Sequence, residues 1–414
     1  MPSRPTKSRL SARRGTMLLG SAFALTLAVT GCAASDVGLG KPASGSASDD
    51  PTDASVPTAS AAKVAANIAP RQTGVRVDRV YRLNVTDGTF DTVAVTSAHG
   101  APLAGKFSAD RSSWNSTAPL QPGATYKVHG VAKDSDGMDS AYDARFSTAT
   151  LSLNQQTFPS FSPLAGETVG IAMPVVIHFD VPVTNKASIE KHLQVVSSPP
   201  QPGAFHWISD SEVHWRPKKY WKAGTDVTVK ANIDSVAAGN GIFGQKSRQE
   251  TFHIGRAMVS TVNIKTDQLQ VRRNGKLIRT IPITTGMPGF TTRSGTKVIV
   301  EKDRRHDMNS ETIGIDPNGP LGYNLKGVEY AMRLTYSGEF LHAAPWSVAS
   351  QGHSNVSHGC TGMSTSNAAW LFGNSLIGDP VEYTGSDKYM TLTNGYGDWN
   401  ESFATYAQGS ALHS

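Results

Sequence analysis

The sequence predicts a mainly β chain: two sandwich modules, then a third, mostly β domain carrying one main helix. Three observations predict it. Apolar stretches such as Thr92-Val93-Ala94-Val95 and Val175-Val176-Ile177-His178-Phe179 are short and are broken by Gly, Pro, Asp and Asn, as strands joined by turns require. Trp114, Gly123, Tyr126 and Val128 in WNSTAPLQPGATYKV recur as Trp215, Gly224, Val227 and Val229 in WRPKKYWKAGTDVTV, each pair 101 residues apart, and that period is the size of one small β-sandwich. In the last third of the chain, Ser364 or Ser366 could cap a helix whose apolar face is Ala368-Ala369-Trp370-Leu371-Phe372.

From the N-terminus, Arg4, Lys7, Arg9, Arg13 and Arg14 precede an uncharged, mostly apolar run from Met17 to Val29. The run is too short and too near the start for a membrane span, so residues 1–31 read as a secretory signal. It ends in Leu27-Ala28-Val29-Thr30-Gly31-Cys32. This resembles a bacterial lipobox, which implies that Cys32 is the lipidated first residue of a mature protein held at the cell membrane and facing the wall. Arg13-Arg14 suggests a twin-arginine signal, but the residues after it match one poorly. Removal of residues 1–31 takes five of the 39 basic residues and none of the 33 acidic ones, lowering the formal charge from +6 to +1. A nucleic-acid partner thereby loses its compositional support. Residues 32–54 are rich in Ser, Ala, Asp and Pro and nearly lack large apolar side chains, so they read as a tether.

The repeat places immunoglobulin-like modules at 55–148 and 149–254, with Val75-Arg76-Val77 among the strands of the first. The repeated tryptophans read as sandwich core or edge residues rather than sugar-stacking platforms. The third domain, 255–385, opens on Val262, Ile264, Leu269 and Val271 and turns back at Asn274-Gly275, a strong hairpin signal. Further strands are expected at Lys297–Val300, Tyr330–Leu334 and Glu339–His342, and after the helix at Asp379–Tyr383. The tail, 386–414, holds Tyr389, Tyr396, Trp399, Phe403 and Tyr406 at irregular spacing, so it is expected to pack against the other domains.

With Cys32 acylated, Cys360 in VSHGCTGMS is a single thiol outside the cytoplasm, where spare thiols are oxidised or mispaired. Its presence there suggests use as a nucleophile, with a buried inert cysteine as the plain alternative. A working cysteine needs a base or a lowered pKa, so the sulfur is expected to be held as a thiolate by an imidazole; His342, His353 and His358 are candidates, and spacing alone leaves the choice open. Gly359 permits a sharp turn, and the amides of His358, Gly359 and Cys360 could face a developing oxyanion. A helix starting near Ser364 would favour the thiolate through its N-terminal field. A metal site built from His342, His353, His358 and Cys360 matches no common zinc spacing.

The stretch LHAAPWSVASQGHSNVSHGCTGMS resembles the signature of L,D-transpeptidases, the YkuD-like enzymes that cross-link peptidoglycan: a histidine, 14 to 17 residues, then Ser/Thr-His-Gly-Cys. The resemblance covers most of the chain, because mycobacterial members carry an N-terminal anchor, two immunoglobulin-like domains and a C-terminal extension like GYGDWNESF. It implies a YkuD-like catalytic domain with Cys360 as nucleophile, His342 as general base, and His358 supporting the turn. The amides around Gly359 and Cys360 would form the oxyanion hole. Tyr323, Ser337 and Gly338 resemble substrate-contacting lid and strand positions, and Trp346 a pocket-wall aromatic; Ser357 and Gly362 complete the implied substrate-binding set. The implied partners are peptidoglycan stem peptides and, as covalent inhibitors, β-lactams of the carbapenem type, with no metal or organic cofactor. Two positions depart from the pattern: Gly362 replaces the usual Asn, and Ala343 replaces a frequent Ser. The first removes a hydrogen-bonding group worth about 0.5–1.5 kcal/mol, so altered substrate or β-lactam handling is expected rather than a dead site. An L,D-carboxypeptidase and a non-catalytic wall-binding lipoprotein are the alternatives.

Overall fold

The computed structural model of the protein describes residues 59–413; the signal, Cys32 and the tether lie outside the described residues. The first sandwich pairs a four-stranded sheet (Lys63–Ala66, Arg82–Thr86, Ser113–Ser116, Gly105–Phe107) with a three-stranded one (Thr89–Ser97, Thr125–Lys133, Asp139–Ser147). Alternation along Thr125–Lys133 sends Tyr126, Val128 and Ala132 inward onto Tyr81, Phe90 and Phe146. Val75 forms only an isolated bridge to Thr148, so Val75-Arg76-Val77 is not the expected strand. Val75 and Val77 are nevertheless buried, and core burial rather than sheet pairing accounts for their apolar pattern.

The second sandwich is built from Thr168–Val169, Arg248–Ile254, Asp226–Ala231 and Leu193–Ser198 against Gly203–Trp207, Glu212–Pro217, Val175–Phe179 and Pro159–Ser162. Both members of the repeat serve packing: Trp114 is buried in the first core and Trp215, stacked on Trp221 at 5.3 Å, in the second.

Nine strands of the third domain, numbered here within it, form two sheets. One has the order β3-β2-β1-β9-β4, with β1 Met258–Asn263, β2 Gln268–Arg273, β3 Lys276–Pro282, β4 Gly295–Val298 and β9 Pro380–Thr384. The other runs β5-β6-β7-β8, with β5 Glu301–Asn309, β6 Asn324–Arg333, β7 Phe340–Ala343 and β8 Thr361–Met363. Asn274 and Gly275 join β2 to β3 with φ of 50° and 79°, the left-handed pair that a type I′ hairpin demands. Met258, Val262, Leu269 and Ile281 from one sheet meet Met332, Leu341 and Met363 from the other, with Leu334 just after β6, in a single apolar core. Ala368 and Leu371 of the helix Thr365–Asn374 complete that core.

Residues after Thr384 run back over the second sandwich and the third domain. Trp399 Nε1 donates to the Ala172 carbonyl at 2.8 Å, and Asn400 Nδ2 donates to the Thr296 carbonyl at 2.8 Å. Buried Tyr406 accepts at its carbonyl from His206 Nδ1 at 2.8 Å.

Candidate active site

β7 and β8 run parallel with Leu341 opposite Thr361 and His342 opposite Gly362. Side chains alternate faces along a strand, so Cys360, two residues before Gly362, falls on the face that carries His342. Both line one cavity of about 330 Å³ together with Thr284, Met308, Tyr323, Leu325, Trp346, Ser357, His358 and Gly362. A smaller cavity of about 90 Å³ touches Cys360 from the other side, past Tyr323 and Gly338.

One hydrogen bond fixes the tautomer of His342. A carbonyl can only accept, so the 2.7 Å contact between His342 Nδ1 and the Ala343 carbonyl places the ring proton on Nδ1 and leaves Nε2 as the basic lone pair. Position 343 thus acts here through its backbone. Burial holds the His342 pKa below the ordinary imidazole value, so the ring rests neutral. Trp346, 59% exposed, stacks over it with centroids 5.9 Å apart.

The sulfur differs from the expectation. Burial among Met308, Val328, Phe340, Tyr323 and Leu325 pushes the Cys360 thiol up to about 12, although the Phe340 amide pulls the other way. Its Sγ–H donates to the Gly338 carbonyl at 3.4 Å. The resting pair is therefore thiol and neutral imidazole, not a preformed thiolate. Nor does the helix field reach it. Ser364 caps the helix by accepting from Asn367 N–H, but β8 intervenes, and three strand residues span roughly 10 Å while a helix terminus acts within about its first turn.

The turn before Cys360 is braced by Ser357, whose hydroxyl donates to the Cys360 carbonyl at 2.6 Å and accepts from Gly359 N–H at 3.1 Å. Gly359 has φ of +120°, a conformation that favours glycine. Its amide is thereby committed, whereas Cys360 N–H makes no backbone hydrogen bond outside the sheet ladders among the described residues. His358 packs its ring between Phe290 and Tyr323, with centroids at 4.5 and 5.1 Å. Its Nε2 is buried without a partner among the described residues, so the ring supports the turn and offers one free polar atom beside the cavity. Tyr323, the residue before β6, lines both cavities with Cys360, and burial pushes its phenol up to about 12.

Gly362 forms a cavity wall where side chains cannot fit: a Cβ there would lie 2.9 Å from Ala344 Cβ and 3.1 Å from Thr284 Cγ2. Ser337 is not brought to the cavity. It is exposed and bonds to Asn394, its N–H to Oδ1 and its Oγ to Nδ2, both at 2.9 Å. His353 is exposed and lines neither cavity. Sequence reasoning missed Met308, Leu325 and Thr284, whose apolar or neutral character carries no chemical signal and whose role comes from the hairpin and β3 folding over the site.

A family model described as the L,D-transpeptidase catalytic domain matches residues 257–382, and one described as a bacterial Ig domain matches residues 72–237. L,D-transpeptidase 2 of Mycobacterium tuberculosis is 34% identical over 350 residues, covering 84% of this chain and 85% of that protein. The chain belongs to the L,D-transpeptidase family. L,D-transpeptidase 5 of the same species is 35% identical over 339 residues, covering 80% of this chain and 73% of that protein. A crystal structure of L,D-transpeptidase 3 from Mycobacterium tuberculosis in complex with a faropenem-derived adduct is 31% identical, covering 55% of this chain and 97% of that chain with a TM-score of 0.47. As an L,D-transpeptidase, this chain carries its one described free cysteine in the cavity that its catalytic domain encloses.

Proposed function

We propose that this L,D-transpeptidase forms 3→3 peptidoglycan cross-links through an acyl-enzyme at Cys360. The observation that carries the reading is the shared face of β7 and β8, which puts a neutral imidazole with a free Nε2 and a thiol in one cavity. His342 Nε2 takes the Sγ proton as sulfur bonds to the carbonyl carbon of residue 3 in a donor tetrapeptide stem. The oxyanion meets Cys360 N–H. When the carbon–nitrogen bond breaks, the imidazolium returns its proton to the departing D-alanine amine. The side-chain amine of residue 3 in an acceptor stem then attacks the thioester, gives its proton to His342, and expels the thiolate, which recovers that proton.

A carbapenem offers a strained amide carbonyl to the same nucleophile, so intact mass should show one covalent adduct on the wild-type chain and none on Cys360→Ala. Equal adducts on both would sink the assignment of Cys360. Water in place of the acceptor amine gives an L,D-carboxypeptidase, and product analysis with and without an acceptor stem separates the two.

We further propose export and anchoring through an acylated Cys32, supported by the signal-like residues 1–31. Metabolic labelling with a fatty acid should mark the wild type and not Cys32→Ser; label on both would refute it.

A further inference from the structure

A buried charged cluster in the catalytic domain lines neither cavity and takes no part in the proton transfers above. Lys297 is 0% exposed and Glu339 is 4% exposed. The Lys297 ammonium donates to Glu339 Oε2, and Glu339 Oε1 accepts from Arg293 twice, at 3.2 Å from its backbone N–H and 2.8 Å from its guanidinium. Burial pulls the Lys297 pKa down to about 8 against the opposing pull of Glu339. A buried ion pair is a poor source of stability, since an apolar pair of the same shape is often as good or better.

What the cluster touches is more informative. Gly338, whose carbonyl receives the thiol hydrogen, directly precedes Glu339. Thr292, whose hydroxyl donates to the Gly359 carbonyl at 2.9 Å, directly precedes Arg293. Lys297 Nζ lies 3.6 Å from the centre of the Tyr383 ring, and the Tyr383 hydroxyl is 2.7 Å from that of Thr361, the residue after Cys360. A Cβ on Gly359 would stand 3.7 Å from Glu339 Cγ. Three of the segments around the nucleophile therefore lead back to one carboxylate, besides the separate brace from Ser357. At the sulfur the Glu339 charge opposes the thiolate while the Lys297 ammonium, together with Arg333, favours it, so the ammonium is of use only once the sulfur is an anion.

We propose that Glu339 and Lys297 are positioning residues for the nucleophile: the carboxylate holds the Gly338 carbonyl and the Gly359–Cys360 turn in place, and the ammonium steadies the thiolate after His342 has taken its proton. This deepens the acyl-transfer reading and rests on it.

The test uses the full chain and two variants, Lys297→Met, which leaves Glu339 paired with Arg293, and Glu339→Gln, which keeps an acceptor for Arg293. Three readouts are followed: melting temperature, the pH profile of Cys360 alkylation by iodoacetamide, and the rate of carbapenem acylation. Lys297→Met should slow alkylation at fixed pH about tenfold, a midpoint shift of about one unit upward, and Lys297→Arg should restore it. Glu339→Gln should move the alkylation midpoint downward yet slow acylation, because a freer sulfur is then badly placed. Folded variants with wild-type alkylation and acylation would overturn the proposal, as would a fall in melting temperature alone. Should Lys297→Met fail to fold, Glu339→Gln decides alone, and an unchanged alkylation midpoint with an unchanged acylation rate overturns the proposal. A wild-type chain that takes no carbapenem sinks the acyl-transfer reading instead, which is a separate outcome.

Discussion

At Cys360 the sulfur donates a hydrogen bond before it accepts any carbon, and this decides how the site responds to pH. In the proposed mechanism attack requires His342 to be neutral, and burial lowers its pKa, so protonation that stops the reaction sets in only below the ordinary value of about 6.5. The thiol, pushed up to about 12, supplies no thiolate by itself near neutrality. The rate of carbapenem acylation should therefore fall below about pH 6.5, stay level to about pH 7.5, and decline as Lys297 loses its proton near pH 8; a rise across pH 8–9, the mark of an ordinary thiol, would contradict the neutral pair. Gly362 yields a second residue-scale expectation. Because Ala344 and Thr284 already fill the space, Gly362→Asn should not restore a missing contact but overpack the wall, costing about 1–3 kcal/mol and slowing acylation. Adding Ala344→Gly should recover part of both losses, as thermal melting and adduct kinetics would show. The motif His342, Ser357, His358, Gly359 and Cys360 was legible in the sequence as residue types, but the sense of the sulfur's pKa was not, because it depends on which apolar side chains close over it.

Among the elements, those with local codes were readable. Asn274-Gly275 turns β2 into β3 because only a left-handed pair suits that hairpin, and Ser364 caps its helix because a side-chain oxygen must satisfy the first free N–H groups. The expected electrostatic service of that helix was wrong, since β8 separates it from Cys360. Ser364→Ala should accordingly lower stability by about 1 kcal/mol and leave the alkylation profile of Cys360 unchanged; a shifted profile would reinstate the helix field. The β5–β6 hairpin was only half legible. Tyr330–Leu334 marks its return strand, but nothing in Glu301–Asn309, where charged side chains predominate, announces a strand that carries Met308 over the nucleophile.

At the scale of the whole molecule, the C-terminal extension closes on the second sandwich through charges that neither part could bury alone. His214 Nδ1 meets Asp398 Oδ1 at 2.9 Å with both side chains buried, and Glu212 lies 3.1 Å from its Nε2. Burial disfavours the charged ring, but the two carboxylates more than offset it and push His214 up to about 9; Asp398 is held below its ordinary range although burial opposes this. Arg216 spreads its guanidinium over Trp399, Phe403 and Tyr406 at 4.4–5.5 Å. A raised folded-state pKa stabilises fully below the unfolded value near 6.5 and ceases to do so as pH climbs through about 9. The melting temperature should thus fall between about pH 6.5 and 9.5, and His214→Gln with Asp398→Asn should flatten that fall. Deleting residues 386–414 takes Asp398 from His214 and the aromatic cover from Arg216, exposing apolar surface of the second sandwich, and should lower the melting temperature by several degrees. An unchanged melting curve would show the extension to be ornamental.

By itself the sequence determined the mainly β class, the doubled sandwich and the cysteine–histidine motif, because strand alternation, a 101-residue period and a dense local motif are written in neighbouring residues. Only the tertiary structure decided that the sulfur rests protonated, that the Gly359 amide is already committed, that Ser337 faces Asn394, and that Glu339 gathers the segments behind the nucleophile. Those outcomes depend on burial and on contacts between residues tens to hundreds of positions apart, and no local pattern encodes either.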